Sequence, residues 1–258
     1  MAARQRTSKD TGSDTSEEHL REEAIRRRRR LLTIVGASVA GAVAVGVLLI
    51  VLNRREGDGG SAAIDAAGFR TPTSEIDGAI PRDGRMIGDP AAPIVVVEFA
   101  DYQCPFCTGF GLTGLPKLLD EYVATGQVRL EYSHFIVIDA DGPDGESARA
   151  AEAAECARDQ GTFWEMHELL VANSLGEYRG SFTAVRLKEI GRLVDGLDQT
   201  AFGSCVDART HRRDVIQTVA AGKAAGVSRT PTFTVNGQLV SGGYAQLKEV
   251  IDAQLAAR

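Results

Sequence analysis

Cysteine is scarce in this chain. Four occur in 258 residues, Cys104, Cys107, Cys156 and Cys205. That is too few for a disulfide scaffold and enough for one active pair and one structural pair. A four-cysteine zinc site normally needs a second close pair. Cys156 and Cys205 are far apart in sequence, so the composition disfavours zinc, and no metal is expected. A basic face is lacking as well. Net charge is −6 but uneven. Residues 1–55 carry 11 basic and 6 acidic side chains, whereas the remainder carries 18 basic and 29 acidic, a net of −11. So acidic a main body excludes the positive surface that nucleic-acid binding requires.

Charge is absent altogether from one stretch. Leu31 to Leu52 contains no charged residue, and only Thr33 and Ser38 are polar. At ~1.5 Å per residue a helix of this length spans about 33 Å, enough to cross a bilayer core. Arg26 to Arg30 precede it and only Arg54 and Arg55 follow. That asymmetry predicts a single-pass anchor with a cytoplasmic N-terminus. A cleaved signal peptide is the competing reading, but its apolar core is shorter, at about 7–15 residues. Val51-Leu52-Asn53-Arg54 is a poor cleavage site, and Ser61-Ala62-Ala63 lies far beyond the core. Residues 1–30 read as a disordered cytoplasmic tail. Residues 53–79, rich in Gly, Ala, Asp and Ser, read as a linker. A folded domain is expected over residues 80–258.

Within it, Ile94 to Ala100 is β-branched and reads as a buried strand. Cys104-Pro105-Phe106-Cys107 follows at a helix start, with Pro105 near the first turn, where a missing N–H costs little. Pro116 should kink or restart this helix, which ends near Gly126. Val128 to Phe135 alternates and predicts a second strand. Helical patterns then run over 147–160, 163–172, 182–194, 198–206 and 210–225, with Asp198 as a cap. Thr232 to Val235 and Gln238 to Ser241 flank Asn236-Gly237, a strong hairpin turn. Residues 244–257 read as a final amphipathic helix.

A thiol at a helix N-terminus loses its proton more easily, and the thiolate is the reactive form. Cys104 is therefore the candidate nucleophile, expected to be exposed, and Cys107 the resolving cysteine. A static bridge or half of a zinc site is the alternative. Glu98, six residues before Cys104, is a candidate buried acid; the alternative is a surface residue on an edge strand. Asp101 and Gln103 are nearby polar candidates. His134, His167 and His211 are scattered, and His167, beside Trp164 and Met166, reads as packing.

Taken together, the C-P-F-C motif after a hydrophobic strand and Thr230-Pro231 before a hairpin and last helix resemble the thioredoxin fold. The largely helical gap between Cys104 and Pro231 resembles the DsbA-like branch, and so does the segment A-E-A-A-E-C-A-R-D-Q-G-T-F-W-E-M-H-E-L-L from Ala151 to Leu170. The resemblance covers about residues 80–258. It implies an α/β, thioredoxin-like fold with an all-helical insertion at about 146–226, here preceded by a transmembrane helix. It implies that Pro231 is cis, that Thr230 and Pro231 flank the dithiol, and that Glu98 is the acid beneath it. It also supports a structural Cys156–Cys205 disulfide, as some DsbA-like proteins carry; two separate thiols are the alternative. The implied activity is extracytoplasmic thiol–disulfide exchange, donating the 104–107 disulfide to exported proteins without a bound cofactor. Recycling is expected from a DsbB-like or VKOR-like quinone-linked membrane partner, with the protein itself a monomer. Phe106 departs from the founding DsbA enzyme, which has His there, and so argues for a less oxidising pair. A reductase or isomerase is the alternative within the fold, and a redox-inactive binding module the alternative outside the enzymes.

Overall fold

The structure, a computed structural model, describes residues 68–71, 78–139 and 145–258. The expected membrane span at 31–52, the tail before it and most of the linker lie outside them. Among the described residues no helix is long and apolar enough to cross a membrane.

Ile94–Ala100 forms the strand on which the rest is built, here β3. Its β-branched side chains suit a pleated, packed surface. It pairs parallel with β4 (Val128–His134) on one side and antiparallel with β5 (Thr232–Val235) on the other. Among the described residues a six-stranded sheet results, with order β1 (Arg82–Asp83), β2 (Met86–Ile87), β4, β3, β5, β6 (Gln238–Ser241). β6 is Gln238–Ser241, joined to β5 through Asn236 and Gly237, both at positive φ as such a tight turn requires. β1 (Arg82–Asp83) and β2 (Met86–Ile87) extend the β4 edge as a short hairpin. That hairpin is not foreseen from the sequence, because two-residue strands are too short to show alternation.

The parallel β3–β4 pair needs a crossover. It is supplied by α1 (Pro105–Thr113), α2 (Leu115–Leu118) and a π-helical turn over Leu119–Val123. Pro116 opens α2 rather than kinking a continuous helix. The insert follows as α3 (Glu146–Arg158), α4 (Phe163–Ala172), α5 (Ala184–Gly191), α6 (Gln199–Ala208) and α7 (Arg212–Ala224). Asp198 caps α6, its Oδ1 accepting from the backbone N–H of Thr200 at 2.8 Å and Ala201 at 3.0 Å. Cys156 on α3 is bridged to Cys205 on α6. Beside the bridge, Arg209 grips the buried Glu152 of α3 through two nitrogens, at 2.8 and 2.7 Å. α8 (Tyr244–Ala256) packs on β3, β5 and β6.

The two faces of β3 have different neighbours. Ile94, Val96 and Glu98 share one face, and Val97 and Phe99 the other. Ile94 and Val96 belong to the main apolar core with Phe110, Leu118, Trp164 and Leu170. Phe99 packs with Phe135 and Val227 on the far side. Residues expected in the linker also join the folded unit. Phe69 is buried, and Arg70 exchanges two hydrogen bonds with the Asn173 side chain, each 2.8 Å. Folded structure thus begins before the boundary expected at residue 80.

Candidate active site

β3 ends at Ala100, and the turn Asp101 to Gln103 leads into α1. Asp101 fixes that turn. Its Oδ1 accepts from Gln103 N at 2.9 Å and Ser147 Oγ at 2.6 Å, and its Oδ2 from the N–H of Val137 at 2.9 Å and Ile138 at 3.0 Å. Gln103, fully buried, reaches Asp139 and Ser147 with its amide nitrogen and accepts from Tyr178 N at 2.7 Å. The residue that carries the nucleophile is therefore held by the insert as well as by the sheet.

Cys104 occupies the N-cap position of α1, with extended φ −70° and ψ 120°, and Pro105 opens the helix. Both thiols are free. The Thr230–Pro231 peptide is cis, and it brings the Thr230 carbonyl oxygen to 3.6 Å from Cys104 Sγ. The Thr230 hydroxyl is buried and has no hydrogen-bond partner in the thiol form. The expectation that Cys104 is exposed needs correction. Cys104 is 4% and Cys107 5% exposed, whereas Phe106 stands out at 77%. The Pro231 segment covers the first cysteine, and the α1 turn directs the Phe106 ring outward instead.

The two thiols are electrostatically unlike. Cys104 is lowered from 9.0 to about 6. The Cys107 thiol hydrogen-bonds its thiolate; burial opposes this, while Thr230 and the backbone N–H groups of Cys107 and Phe106 add to it. Cys107 is pushed far above the ordinary thiol range, first by burial and then by its contact with Cys104. One proton is thus shared unequally: Cys104 gives it up readily and Cys107 holds it.

Glu98 lies on the central strand, between Tyr132 of β4 and Phe233 of β5, not on an edge. It is 2% exposed, its Oε2 is unpartnered, and burial raises it from 4.5 to about 8. Glu98 and Cys107 line one small cavity, together with Tyr102, Gly111, Tyr132, His167 and Val171. α1 comes this close to α4 because residue 111 is glycine: a Cβ there would sit 2.9 Å from a methyl of Val171. On the outer side, an open groove of about 580 Å³ runs along Phe106, Gly109, Phe110, Arg229, Thr230, Pro231 and Tyr244. Cys104, Cys107, Glu98, Pro105, Phe106, Thr230 and Pro231 thus converge around one helix terminus. Cys156 and Cys205 are joined to each other within the insert. The place of His167 on the cavity beneath the dithiol is not foreseen from the sequence, because a histidine in an apolar helix carries no signal of what it faces.

A dithiol at the N-terminus of the helix after the central strand, a cis-proline loop beside it and a helical insertion in the crossover define a thioredoxin-fold protein with a built redox centre. A family model described as thioredoxin matches residues 82–253, and the chain belongs to that family, in its DsbA-like branch. Over 172 residues it is 28% identical to the probable disulfide bond formation protein D of Bacillus anthracis, covering 66% of this chain and 78% of that one. The crystal structure of oxidised BdbD from Bacillus subtilis superposes with a TM-score of 0.61 at 24% identity, covering 67% of this chain and 93% of that one. A stretch of 157 residues, 61% of this chain, is 37% identical to the Na(+)/H(+) antiporter NhaA 3 of Salinispora tropica, and it spans 22% of that relative's length.

Proposed function

We propose that this protein is an extracytoplasmic thiol–disulfide oxidoreductase that donates the Cys104–Cys107 disulfide to exported proteins. The observation that carries this reading is the placement of the dithiol: Cys104 at the N-cap of α1 against the cis-Pro231 loop, with Cys107 buried in the first turn, a setting that lowers the Cys104 thiol to about 6 and holds Cys107 protonated by burial. A stabilised thiolate favours the reduced pair, and so makes its disulfide a better oxidant.

In the forward direction a substrate thiolate attacks Cys104 Sγ. The 104–107 S–S bond breaks, and its electron pair leaves on Cys107 Sγ. Cys107 takes a proton from the neutral Glu98 carboxyl. A second substrate thiolate then attacks the substrate sulfur of the mixed disulfide, and Cys104 departs as a thiolate. The substrate is oxidised by two electrons and the pair is reduced by two. The cis-Pro231 segment offers its backbone to an extended substrate chain, and the groove beside Phe106 receives apolar side chains. The reading places residues 31–52 in the membrane, the N-terminus in the cytoplasm and the dithiol domain outside. Reoxidation falls to a quinone-linked membrane partner of DsbB-like or VKOR-like type.

Equilibration of the 104–107 pair with glutathione tests the direction. A potential near about −120 mV supports an oxidase, and one near about −270 mV favours a reductase instead. A Cys104→Ser protein that retains full thiol-oxidising and disulfide-reducing activity would remove the enzyme reading.

A further inference from the structure

α4 carries the sequence Phe163-Trp164-Glu165-Met166-His167-Glu168-Leu169-Leu170, and its apolar face is buried in the core. His167 lies on that face at 2% exposure. A buried imidazole ordinarily has both nitrogens satisfied. Here Nδ1 lies 3.1 Å from Tyr102 Oη, and Nε2 has no partner. Glu98 Oε2, also buried, has none either. Both residues line the same cavity of about 10 Å³, and Cys107 lines it too. That volume has room for about one water molecule. Two buried polar atoms left unpaired are costly, and one water held between them would satisfy both.

We propose that His167 is a positioning residue for proton transfer to Cys107: with Glu98 it holds a single buried water beneath the dithiol. The inference rests on the exchange reading of the Cys104–Cys107 pair and deepens it. Tyr102 donates its hydroxyl proton to Nδ1, which leaves the ring proton on Nε2, directed to the water. The water relays a proton from the Glu98 carboxyl to the Cys107 thiolate as the 104–107 bond breaks. Glu98 is then a carboxylate in an apolar pocket, and the Nε2–H, acting through the water, stabilises its charge. His167 gains and loses no proton in the cycle. Burial pushes it down to about 3, which keeps it a neutral donor. The other titratable groups around it fit that role. Tyr102 before α1 and Tyr132 on β4 are held protonated by burial. His134 on β4 is turned to Glu155 of α3 at 2.8 Å, with Arg85 and Arg158 on that same carboxylate. Asp101 is committed to backbone and Ser147 donors.

The test is the carboxyl titration of Glu98 in the reduced full-length protein, followed by carbon-detected NMR and assigned by its loss in Glu98→Gln. His167→Phe removes the donor and keeps a ring of similar size. It should raise the Glu98 midpoint by about one unit, a tenfold loss of carboxylate stabilisation. His167→Gln retains an N–H donor and should shift it by less than half as much. A parental midpoint in His167→Phe overturns the proposal. Should His167→Phe not fold, the unmodified protein decides: nitrogen-15 shifts of His167 should report the Nε2–H tautomer and follow the Glu98 titration, and an Nδ1–H tautomer or an unresponsive ring overturns it. The exchange reading fails separately, if Cys104→Ser keeps full activity while the Glu98 results stand.

Discussion

Cys104 Sγ lies 3.6 Å from the carbonyl oxygen of Thr230, a residue 126 positions away in the chain. The contact joins the N-terminus of α1 to the cis-proline loop. It covers the nucleophile, while other groups make it acidic: the Cys107 thiol first, then the Thr230 side chain and the backbone N–H groups of Cys107 and Phe106, replace the water that would otherwise hold the thiolate.

Alkylation of the reduced protein by iodoacetamide should therefore show a midpoint near pH 6, against the ordinary thiol value of about 8.5. Thr230→Val removes the hydroxyl and should move that midpoint up by about half a unit to one unit, while Thr230→Ser leaves it near the parental value. Equal midpoints in the parent and Thr230→Val would remove Thr230 from the thiolate's environment.

Glu98 sets a second pH dependence, with the opposite sense. Its folded value is raised from 4.5 to about 8, so the unfolded chain releases that proton first. Stability should fall as pH rises from about 4.5 and level off above about 8. In Glu98→Gln that loss disappears. Denaturant unfolding of the reduced proteins should show the variant gaining on the parent steadily through this window, by on the order of a few kcal/mol at pH 9. A difference that does not change with pH would mean that Glu98 is not held neutral.

The Cys156–Cys205 bridge closes a loop across 49 residues and pins α3 to α6. Replacing both cysteines by alanine should cost about 3 kcal/mol, chiefly by freeing the unfolded chain. A melting temperature lower by about 6–12 °C is expected, with the alkylation midpoint of Cys104 unchanged. A shift of that midpoint would show that the insert transmits strain to the dithiol.

Asp101 accepts four hydrogen bonds, from the loop after β4, from α3 and from its own turn. Asp101→Ala leaves those buried donors unpaired and should cost about 3 kcal/mol or more. It should also slow disulfide exchange, because Gln103 and Cys104 lose their anchor. Wild-type stability in calorimetry would show that water replaces the carboxylate without loss.

Much of the fold is legible in local signals. A β-branched run, a proline at a helix start, an aspartate cap and an Asn-Gly turn each set nearby backbone geometry, and the elements they predict lie within a few residues of those observed. Ends drift where packing decides: the helix expected over 182–194 spans only Ala184–Gly191. Its boundary residues form the helix caps and turns instead.

The amino-acid sequence by itself determined that residues 104 and 107 form a dithiol on a strand–helix junction, because periodicity and helix-start chemistry act over a few residues. Tertiary structure alone decided what surrounds that dithiol. It placed Glu98 on the central strand, laid the Thr230 carbonyl against Cys104, buried a thiol expected to be exposed and set His167 on the cavity that Cys107 also lines. Those relations depend on which surfaces pack across tens to more than a hundred residues of chain, and packing at that range leaves no periodic trace in the sequence.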